Sequence, residues 1–341
     1  MIFPSMKKLN ILFRTGGGTV HGKELGFGHI YRCINLANSL KHNNIHFLVE
    51  DFGNAENILR KNKYFKIHLL QNDINSKSDI EKSKKYLDDE KIDILIIDRY
   101  RISKKYTSHM KKYVKTVMIA DLREKDFDVD LVINGFIGFK NEITKNKYGG
   151  KCLVGPKYQI LNSKFSKKDI KKQRKESLLA TFGGFDDEKI SLKLLKIILK
   201  MDLKIKIKII LGQDIKLKIS DKKKISNKSI KIISNTHNMY KEMKNAKYGL
   251  CSGGITTYEF ATLGIPFGII CQNKHQLITA KEWEKQKIAV NLGLSKLIKP
   301  KEIEKFLLSL PKKFQNSKKI CYQNGAKIAS KEIIKLIKIK N

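Results

Sequence analysis

Cysteine is scarce in this sequence, and its few cysteines lie far apart. No two of them are separated by only two residues; they are Cys33, Cys152, Cys251, Cys271 and Cys321. Paired Cys-x-x-Cys spacing is typical of zinc sites, and disulfide-rich domains are short and dense in cysteine. The spacing therefore argues against both kinds of site. We expect the chain to work without a metal or any other cofactor.

Long hydrophobic runs are also missing. No stretch approaches the roughly 18 consecutive apolar residues that a membrane-spanning helix needs. The opening residues MIFPSMKKLN lack the basic-then-apolar layout of a signal peptide. Hydrophobic residues nevertheless make up 41% of the chain, which is enough for packed cores. We therefore expect a cytoplasmic enzyme, taken to be a monomer, without stable insertion into a membrane.

Acidic residues are few compared with basic ones. The sequence has 33 acidic and 70 basic residues, which gives a formal net charge of +37. Such a charge often indicates a nucleic-acid partner. Here the lysines are spread over the whole chain and interleaved with isoleucine, as in KIKIKII, and no basic face carries aromatic residues. The pattern is typical of codon bias in an AT-rich genome, so we expect no nucleic-acid partner. The charge would still attract anionic substrates.

Short apolar runs alternate with amphipathic stretches along the chain. Strands are expected at 9–14, 45–50, 65–70, 92–98, 115–120, 131–136, 177–183, 205–211, 230–234, 247–252 and 265–271. Helices are expected near 29–42, 54–62, 76–89, 103–113, 187–200, 236–245, 255–263, 275–287, 300–309 and 316–338. Continuous apolar strands between helices are typical of a parallel sheet covered on both faces.

This alternation predicts an α/β chain with two Rossmann-like domains, whose parallel sheets face a central cleft. The first domain is expected at 1–160 and the second at 177–315. A polar, lysine-rich linker at 161–176 separates them. A C-terminal helix within 316–341 could cross back over the first domain. Ligands of such sheets bind beyond the carboxyl ends of the strands, so the loops there are the candidate sites.

The first glycine-rich segment resembles a P-loop but departs from it. Residues 17–23 fit G-x-x-x-x-G-K, yet Glu24 stands where a P-loop needs serine or threonine for magnesium. The negative charge of Glu24 would repel a phosphate, and the glycines Gly26 and Gly28 disfavour a helix that begins at the lysine. We therefore expect a loop here instead of a phosphate site.

The second glycine-rich segment, GFGH, directly precedes an amphipathic helix. This places His29 at the start of that helix, where the helix dipole disfavours the imidazolium form. A neutral histidine can accept a proton near pH 7, as a general base must. Gly28 would let a ligand approach the backbone closely. A histidine that only caps the helix is the alternative.

Two glycine turns stand between a strand and a helix in the second half. They are Gly183-Gly184 in ATFGGFDDEK and Ser252-Gly253-Gly254 in CSGGITTYEF. Two helix starts that direct backbone N–H groups at one ligand suit a diphosphate. A pair of glycines can also mark nothing more than a tight turn.

Several polar residues near strand ends complete the list of candidates. Glu259 lies in the helix after Gly254, and from there its carboxylate could accept hydrogen bonds from both hydroxyls of a ribose. A surface glutamate without a ligand is the alternative. His275 and Gln276 begin another helix and could contact a sugar or be ordinary first-turn residues. Asp98, Tyr100 and Asn134 follow first-domain strands, where both active-site residues and turn formers are common.

The order of these motifs resembles a known family. GFGHIYRCINLA, IIDRY, DVDLVINGF, TFGGFD, CSGGITTYEFATLGIP and HQ occur in this order, as in the hydrolases that release an altropyranose sugar from UDP in pseudaminic acid biosynthesis. These hydrolases belong with spore-coat-polysaccharide-type proteins. The second half also resembles the C-terminal domain of MurG-type glycosyltransferases, which have the GT-B fold.

The resemblance implies roles for particular residues. It implies that Ser252, Gly253 and Gly254 bind the phosphates of UDP and that Glu259 binds its ribose. It also implies that His29 is the catalytic base. Tyr100, in the IIDRY motif, matches a tyrosine of the hydrolases and is the second catalytic candidate.

The sequence departs from the hydrolases at two places beside the expected sugar pocket. The loop RTGGGTVHGKELG is longer than their usual loop, and Arg99 replaces a histidine. Both departures leave the identity of the sugar open. The resemblance implies hydrolysis of a UDP-linked amino or deoxy sugar to free sugar and UDP. Transfer of the sugar by a MurG-like inverting glycosyltransferase is the alternative.

Overall fold

The computed structural model divides the chain into two compact units. Unit 1 comprises Met1–Ser163 and Gln323–Asn341, and unit 2 comprises Lys164–Tyr322. The structure describes residues 7–18, 26–74, 76–99, 102–166, 177–212, 215–217, 225, 229–234, 236, 238–314 and 325–338. Four expected features lie wholly or mostly outside this part of the chain: the P-loop-like loop at 19–25, Tyr100, the linker at 167–176 and the first turns of the last helix at 316–324.

Unit 1 is built on one sheet. Its strands are β1 Asn10–Gly18, β2 Asn44–Phe52, β3 Phe65–Leu70, β4 Ile94–Asp98, β5 Lys115–Ile119, β6 Leu131–Asn134, β7 Glu142–Lys145 and β8 Lys151–Val154. They lie in the order β3-β2-β1-β4-β5-β6-β8-β7. The paired strands run parallel except β7 and β8, which are antiparallel.

Helices pack on both faces of the unit 1 sheet because successive strand residues point to opposite sides. Four of these helices are α1 Gly28–Ser39, α2 Ala55–Arg60, α3 Ser76–Asp89 and α4 Lys104–Met110. Ile11 and Phe13 of β1 share one core cluster with residues of α1, α2 and the C-terminal helix Gly325–Lys338. Leu12, between them, belongs to a second cluster with residues of α3 and α4.

Unit 2 repeats this plan with six strands. They are β9 Ser177–Thr181, β10 Lys206–Leu211, β11 Ile230–Ser234, β12 Tyr248–Cys251, β13 Phe267–Cys271 and β14 Ala289–Leu294. Their order is β11-β10-β9-β12-β13-β14, and all of these pairs are parallel. The described helices are α5 Ile190–Ile198, α6 Met239–Met243, α7 Thr256–Thr262, α8 Lys274–Lys285, α9 Pro300–Leu308 and α10 Leu310–Lys313.

The strand order reverses at one point in each unit. In unit 1 the chain leaves β1 toward β2 and returns on its other side as β4, where Thr15 pairs with Asp98. In unit 2 the chain likewise leaves β9 toward β10 and returns on the other side of β9 as β12. There Thr181 of β9 pairs with Cys251 of β12. Open α/β sheets bind their ligands at the carboxyl ends of the strands at such a point. His29 and Asp98 in unit 1, and the Ser252 loop in unit 2, lie at these two edges.

Every strand and helix expected from the sequence is present, apart from the part of the last helix outside the described residues. The sequence analysis missed β7, β8, β14 and α10. The strand β7, EITK, is polar and mostly exposed at the sheet edge, so it shows no apolar run. The strand β14, AVNLGL, contains asparagine and glycine and is only half-buried. The two edge strands β7 and β14 are therefore elements that hydrophobic patterning did not identify, and the short buried strand β8 between β6 and β7 was missed as well.

Candidate active site

His29 meets a buried carboxylate at the carboxyl edge of the unit 1 sheet. It is the second residue of α1, whose apolar residues Ile30, Cys33 and Ile34 are buried against the sheet. Asp98 is the last residue of β4 and is fully buried. The Nδ1 atom of His29 lies 2.6 Å from Oδ1 of Asp98. Strand and helix thus bring together two residues that lie 69 positions apart in the sequence.

The carboxylate selects one tautomer of His29. An ionised aspartate only accepts hydrogen bonds, so Nδ1 must carry the proton and donate it. The neutral ring then has an unprotonated Nε2, and no hydrogen bond to Nε2 occurs among the described residues. The His29 side chain is 21% exposed. The ring therefore presents a proton acceptor to solvent or ligand, while a carboxylate stabilises the imidazolium that forms.

Arg32 completes this arrangement from the same helix. It donates to Asp98 through Nε at 2.8 Å and Nη2 at 2.6 Å. Its Nη1 and Nη2 atoms also donate to the carboxylate of Asp121, at 2.5 and 3.0 Å. Nη2 of Arg32 also lies 3.2 Å from Nδ1 of His29. Because Nη2 donates its two protons to the two carboxylates, Nδ1 of His29 keeps its own proton. Arg32 therefore bridges two aspartates beside the histidine.

The charge state of Asp98 follows from these contacts. Burial alone raises the pKa of this carboxyl, but the Arg32 guanidinium and then His29 outweigh that effect and lower its pKa to about 2. Asp98 is consequently ionised at every pH at which the protein would work. The thiol of Cys33 also points at it, with Sγ 3.7 Å from Oδ2.

Two residues expected to contact substrate are used inside the protein instead. Asp98 is 0% exposed, and both its oxygens accept from His29 and Arg32. Asn134 is also 0% exposed, and its amide bonds the carbonyls of Leu122 and Glu124 and the N–H of Phe136. Neither side chain has a free, accessible polar atom among these contacts, and substrate contact at both positions stays a prediction.

Arg99, which replaces a histidine of the resembling hydrolases, belongs to a separate buried network. Its guanidinium bonds Asp79 at 2.6 Å and Glu50 at 2.5 Å. Arg14 bonds the same two carboxylates, Asp79 at 3.0 Å and Glu50 at 3.2 Å. Two arginines thus neutralise two acids in the interior. Arg99, directly after β4, is therefore held by two buried carboxylates.

In unit 2, the Ser252 loop rests on the start of α8. Gly253 donates its N–H to Oε1 of Gln276 at 3.1 Å, and the same oxygen accepts from Gln272 at 2.9 Å. A Cβ on Gly253 would lie 2.7 Å from the carbonyl oxygen of Gln276, so only glycine fits there. A Cβ on Gly254 would meet nothing within 4 Å. The loop is therefore fixed at Gly253 and open at Gly254.

Glu259 is a half-buried carboxylate without a partner among the described residues. It lies in α7, directly after the Ser252 loop. Burial raises its pKa to about 7, because no nearby cation compensates for the lost hydration. A buried acid that is left unpaired is a candidate ligand-binding group, since a bound hydroxyl would supply the missing hydrogen bonds.

The first glycine turn of unit 2 differs from the second. Gly183 has φ +93°, which favours glycine. Asp186 then accepts hydrogen bonds from the backbone N–H groups of Ile190 and Ser191, at 2.8 and 2.9 Å. Asp186 therefore caps the start of α5. These two N–H groups at the start of α5 are occupied by a carboxylate, so the helix offers fewer donors to a phosphate than expected.

The remaining candidates differ in exposure. His275 is exposed in the first turn of α8, and Gly28 is exposed beside His29 with open space around it. Gln276 is partly buried, and its amide oxygen supports the Ser252 loop. Among the described residues, no three His, Cys, Asp or Glu side chains cluster as metal ligands would. No described helix is both long and apolar enough to span a membrane.

The sequence analysis missed Arg32 and Asp121. Arg32 lies three residues after His29, which places both on one face of α1, so helical spacing was a usable signal. Asp121 follows β5 and carried no local signal, because its role depends on an arginine 89 positions earlier.

Solved structures of known proteins share this architecture. MurG of Acinetobacter baumannii superposes with a TM-score of 0.65 at 13% identity, over 96% of this chain and 99% of that one. UGT89C1 of Arabidopsis thaliana, complexed with UDP-L-rhamnose, gives a TM-score of 0.60 at 11% identity, over 98% of this chain and 99% of that one. The calicheamicin glycosyltransferase CalG4 gives 0.60 at 10% identity, over 98% and 100%. The chain therefore has the α/β GT-B fold of two Rossmann-like domains, which confirms the expected fold class.

Two known proteins are similar to this chain in sequence as well. The chain is a homologue of the spore coat polysaccharide biosynthesis protein SpsG of Bacillus subtilis, with 26% identity over 293 residues, 81% of this chain and 83% of that protein. It is 29% identical over 272 residues to an uncharacterised protein of Methanocaldococcus jannaschii, covering 74% of this chain. The chain spans about half, 54%, of the length of that archaeal protein. No family model matches the chain.

Proposed function

We propose that the chain is an inverting enzyme that moves a sugar from a UDP-sugar to a hydroxyl acceptor in polysaccharide biosynthesis. The observation that carries this proposal is the His29–Asp98 pair at the carboxyl edge of the unit 1 sheet, with a 2.6 Å contact at Nδ1 and no hydrogen bond to Nε2 from the described residues. Such a pair is suited to removing a proton from a hydroxyl.

The reaction follows from the proton positions at His29. Nε2 takes the proton of the acceptor hydroxyl, and the oxygen attacks the anomeric carbon of the sugar as the bond to UDP breaks. The ring becomes an imidazolium that the ionised Asp98 stabilises. A single direct displacement inverts the configuration at the anomeric carbon. The diphosphate leaves with the bonding electrons, so groups that bind it also stabilise the charge that develops.

Unit 2 is the proposed binding site for UDP. The N–H groups of Gly254, Ile255 and Thr256 have no acceptor within the described chain, and the loop that carries them is held by Gln276. They would donate to the diphosphate together with Ser252. The carboxylate of Glu259 would accept from the ribose hydroxyls, which gives this buried group the partners it lacks.

Known proteins support the transfer reaction in particular. The name of SpsG places that relative in spore coat polysaccharide biosynthesis. MurG and UGT89C1 share the fold, and UGT89C1 is described with UDP-L-rhamnose bound. A glycosyltransferase role therefore agrees better with the comparisons than the hydrolysis expected from the motif resemblance.

Hydrolysis in a pathway of the pseudaminic acid type is the second candidate, favoured by the GFGH motif and the residues that follow it. The chemistry at His29 is the same, with water in place of the acceptor hydroxyl. The two functions differ only in the nucleophile, so the motifs on their own are compatible with both.

One NMR experiment distinguishes the candidates. The purified protein is incubated with a panel of UDP-linked amino and deoxy sugars, first without and then with candidate acceptors. Release of UDP and a new glycoside only after an acceptor is added supports transfer. Release of free sugar with inverted anomeric configuration in water supports hydrolysis. If no UDP-sugar binds or reacts, the proposed function is wrong.

A further inference from the structure

A strained loop beside the His29 site carries the second carboxylate that binds Arg32. Asp121 and Leu122 follow β5, and the side chain of Asp121 is 55% exposed. Leu122 has φ +48°, a left-handed conformation that leucine rarely adopts. A backbone held in this conformation needs contacts that fix it. The contacts that fix it also determine where Asp121 lies.

Asn134 provides these contacts from the end of β6. Its Nδ2 donates to the carbonyl of Leu122 at 2.9 Å and to that of Glu124 at 2.7 Å. Its Oδ1 accepts from the N–H of Phe136 at 2.9 Å. Both amide protons and the oxygen are used by the backbone, and the side chain is 0% exposed. An aspartate could not replace it, because a carboxylate cannot donate to the two carbonyls.

Resting on the proposed function, we propose that Asp121 and Asn134 are positioning residues for His29, which act on it through Arg32. Arg32 gives one edge of its guanidinium to Asp98 and the other to Asp121. While Asp121 is in place, the single cation is shared between two carboxylates. Arg32 then does not neutralise Asp98 alone, and Oδ1 of Asp98 accepts from Nδ1 of His29 at 2.6 Å.

The groups that face His29 and its partners come from three elements. Arg32 and Cys33 lie on α1, Asp98 ends β4, and Asp121 follows β5. Of these, Asp121 is the most exposed, and Arg32 would keep its hydrogen bonds to Asp98 when the charge of Asp121 is removed. Removing its negative charge leaves the whole cation facing Asp98, so the pKa of His29 should fall.

Titration of His29 by NMR tests the proposal without any substrate. The His29→Gln variant identifies the His29 ring signals by their absence. The D121N variant should move the midpoint of the His29 titration to lower pH, because a negative charge close to the ring is removed. The Asn134→Ser variant should shift it in the same direction although no charge is removed, because the loop no longer holds Asp121 on Arg32. The double variant should show no further shift.

Asn146 offers a matched control. It is equally an asparagine buried under this loop, and its Nδ2 donates to the carbonyls of Lys125 at 3.1 Å and Phe127 at 2.7 Å. The Asn146→Ser variant should lose a similar amount of stability but leave the pKa of His29 unchanged. An equal shift in this control would show that Asn134 acts only through general loosening and would overturn its assigned role.

The remaining outcomes are also decisive. If D121N leaves the titration of His29 unchanged, the proposal is overturned, and this variant should fold because Asp121 is exposed. If Asn134→Ser does not fold, D121N still decides the role of Asp121. In an active enzyme, the acid limb of the pH–rate profile should move to lower pH by the same amount in D121N. A shifted titration with an unmoved rate profile would count against His29 as the base and leave the positioning roles intact.

Discussion

At the level of single residues, the buried carboxyl group of Asp98 and the half-buried one of Glu259 have opposite properties. Asp98 has a pKa of about 2 because Arg32 and His29 outweigh the cost of its burial. Glu259 has a pKa of about 7 because burial acts on it without a compensating cation. The difference lies in the partners and not in the residue type. A paired carboxylate serves as a permanent charge beside His29, whereas an unpaired one is available to a ligand.

The role of His29 is tested by two substitutions at its site. His29→Gln should lower turnover of the UDP-sugar roughly 100-fold or more, the typical contribution of a general base. Asp98→Asn should also lower turnover strongly, because an amide can stabilise the wrong tautomer. Isothermal titration calorimetry should show unchanged UDP affinity in His29→Gln. Full turnover in this variant would rule out the proposed base.

Glu259→Gln should raise stability and weaken UDP binding. The folded protein holds a proton on Glu259 up to about pH 7, whereas the unfolded chain releases it near the ordinary value of 4.5. Between these values the native state binds more protons, so wild-type stability falls as pH rises. The variant lacks this loss. Its free energy of unfolding in urea denaturation should therefore exceed that of the wild type by more at pH 8 than at pH 4.5.

The affinity of Glu259→Gln for UDP should fall about tenfold if the carboxylate accepts from the ribose hydroxyls, the effect of one or two lost charged hydrogen bonds. Affinity for UMP should fall by the same factor, because the ribose is common to both. An unchanged affinity for both nucleotides would exclude the ribose contact.

At the level of elements, the sites lie where short segments are held by other segments. The Ser252 loop is fixed because Gln276 of α8 binds Gly253, and the turn before α5 is fixed because Asp186 caps that helix. The two glycine turns look alike in the sequence. In the Ser252 loop the N–H groups of Gly254, Ile255 and Thr256 have no acceptor among the described residues, whereas Asp186 occupies those of Ile190 and Ser191. The Ser252 loop is therefore the stronger candidate for the diphosphate.

A matched pair of glycine substitutions tests this loop. Gly253→Ala should lower the melting temperature by several degrees, because its methyl group would lie about 3 Å or less from the backbone of Gln276. Gly254→Ala should leave the melting temperature unchanged, since nothing lies within 4 Å of the new methyl group. Thermal unfolding measures both.

The affinity of these glycine variants for UDP tests where the phosphates bind. Gly254→Ala should weaken UDP binding without loss of stability if the diphosphate approaches this glycine closely. Affinity for uridine, which has no phosphate, should remain the same. An unchanged affinity for UDP in Gly254→Ala would place the diphosphate elsewhere.

At the level of the whole molecule, the C-terminal helix completes the core of unit 1. Ala326, Ala329 and Ile333 of the C-terminal helix are buried in the core cluster that also contains Ile30 and Phe13. The ion pair between Lys151 and Glu332, at 2.5 Å, adds a contact to β8. The N-terminal unit therefore depends on residues that follow the whole of unit 2.

Removal of the C-terminal helix should destabilise unit 1 selectively. A chain that ends at residue 324 would expose the apolar surface of α1 and lose the buried side chains of Ala326, Ala329 and Ile333. Hydrogen exchange followed by mass spectrometry should show faster exchange in α1 and β1, with β9 and β12 of unit 2 unchanged. Equal loss of protection in both units would contradict this prediction.

The alternation of apolar and amphipathic segments determined the fold class and nearly every buried strand and helix of this protein. This succeeded because buried parallel strands and amphipathic helices carry their burial pattern in adjacent residues. The strand β7, polar and exposed at the sheet edge, carries no such pattern and was missed. Motif order also singled out His29 and Glu259 as candidates.

Only the tertiary structure decided how these residues are used. Asp98 and Asn134 were indistinguishable from substrate-binding residues in the sequence, and both turned out to be buried and occupied by protein groups. Asp121 was not identified, because its contact with Arg32 joins positions 89 residues apart. Hydrogen bonding and burial depend on which distant segments the sheet brings together, and no local pattern records that.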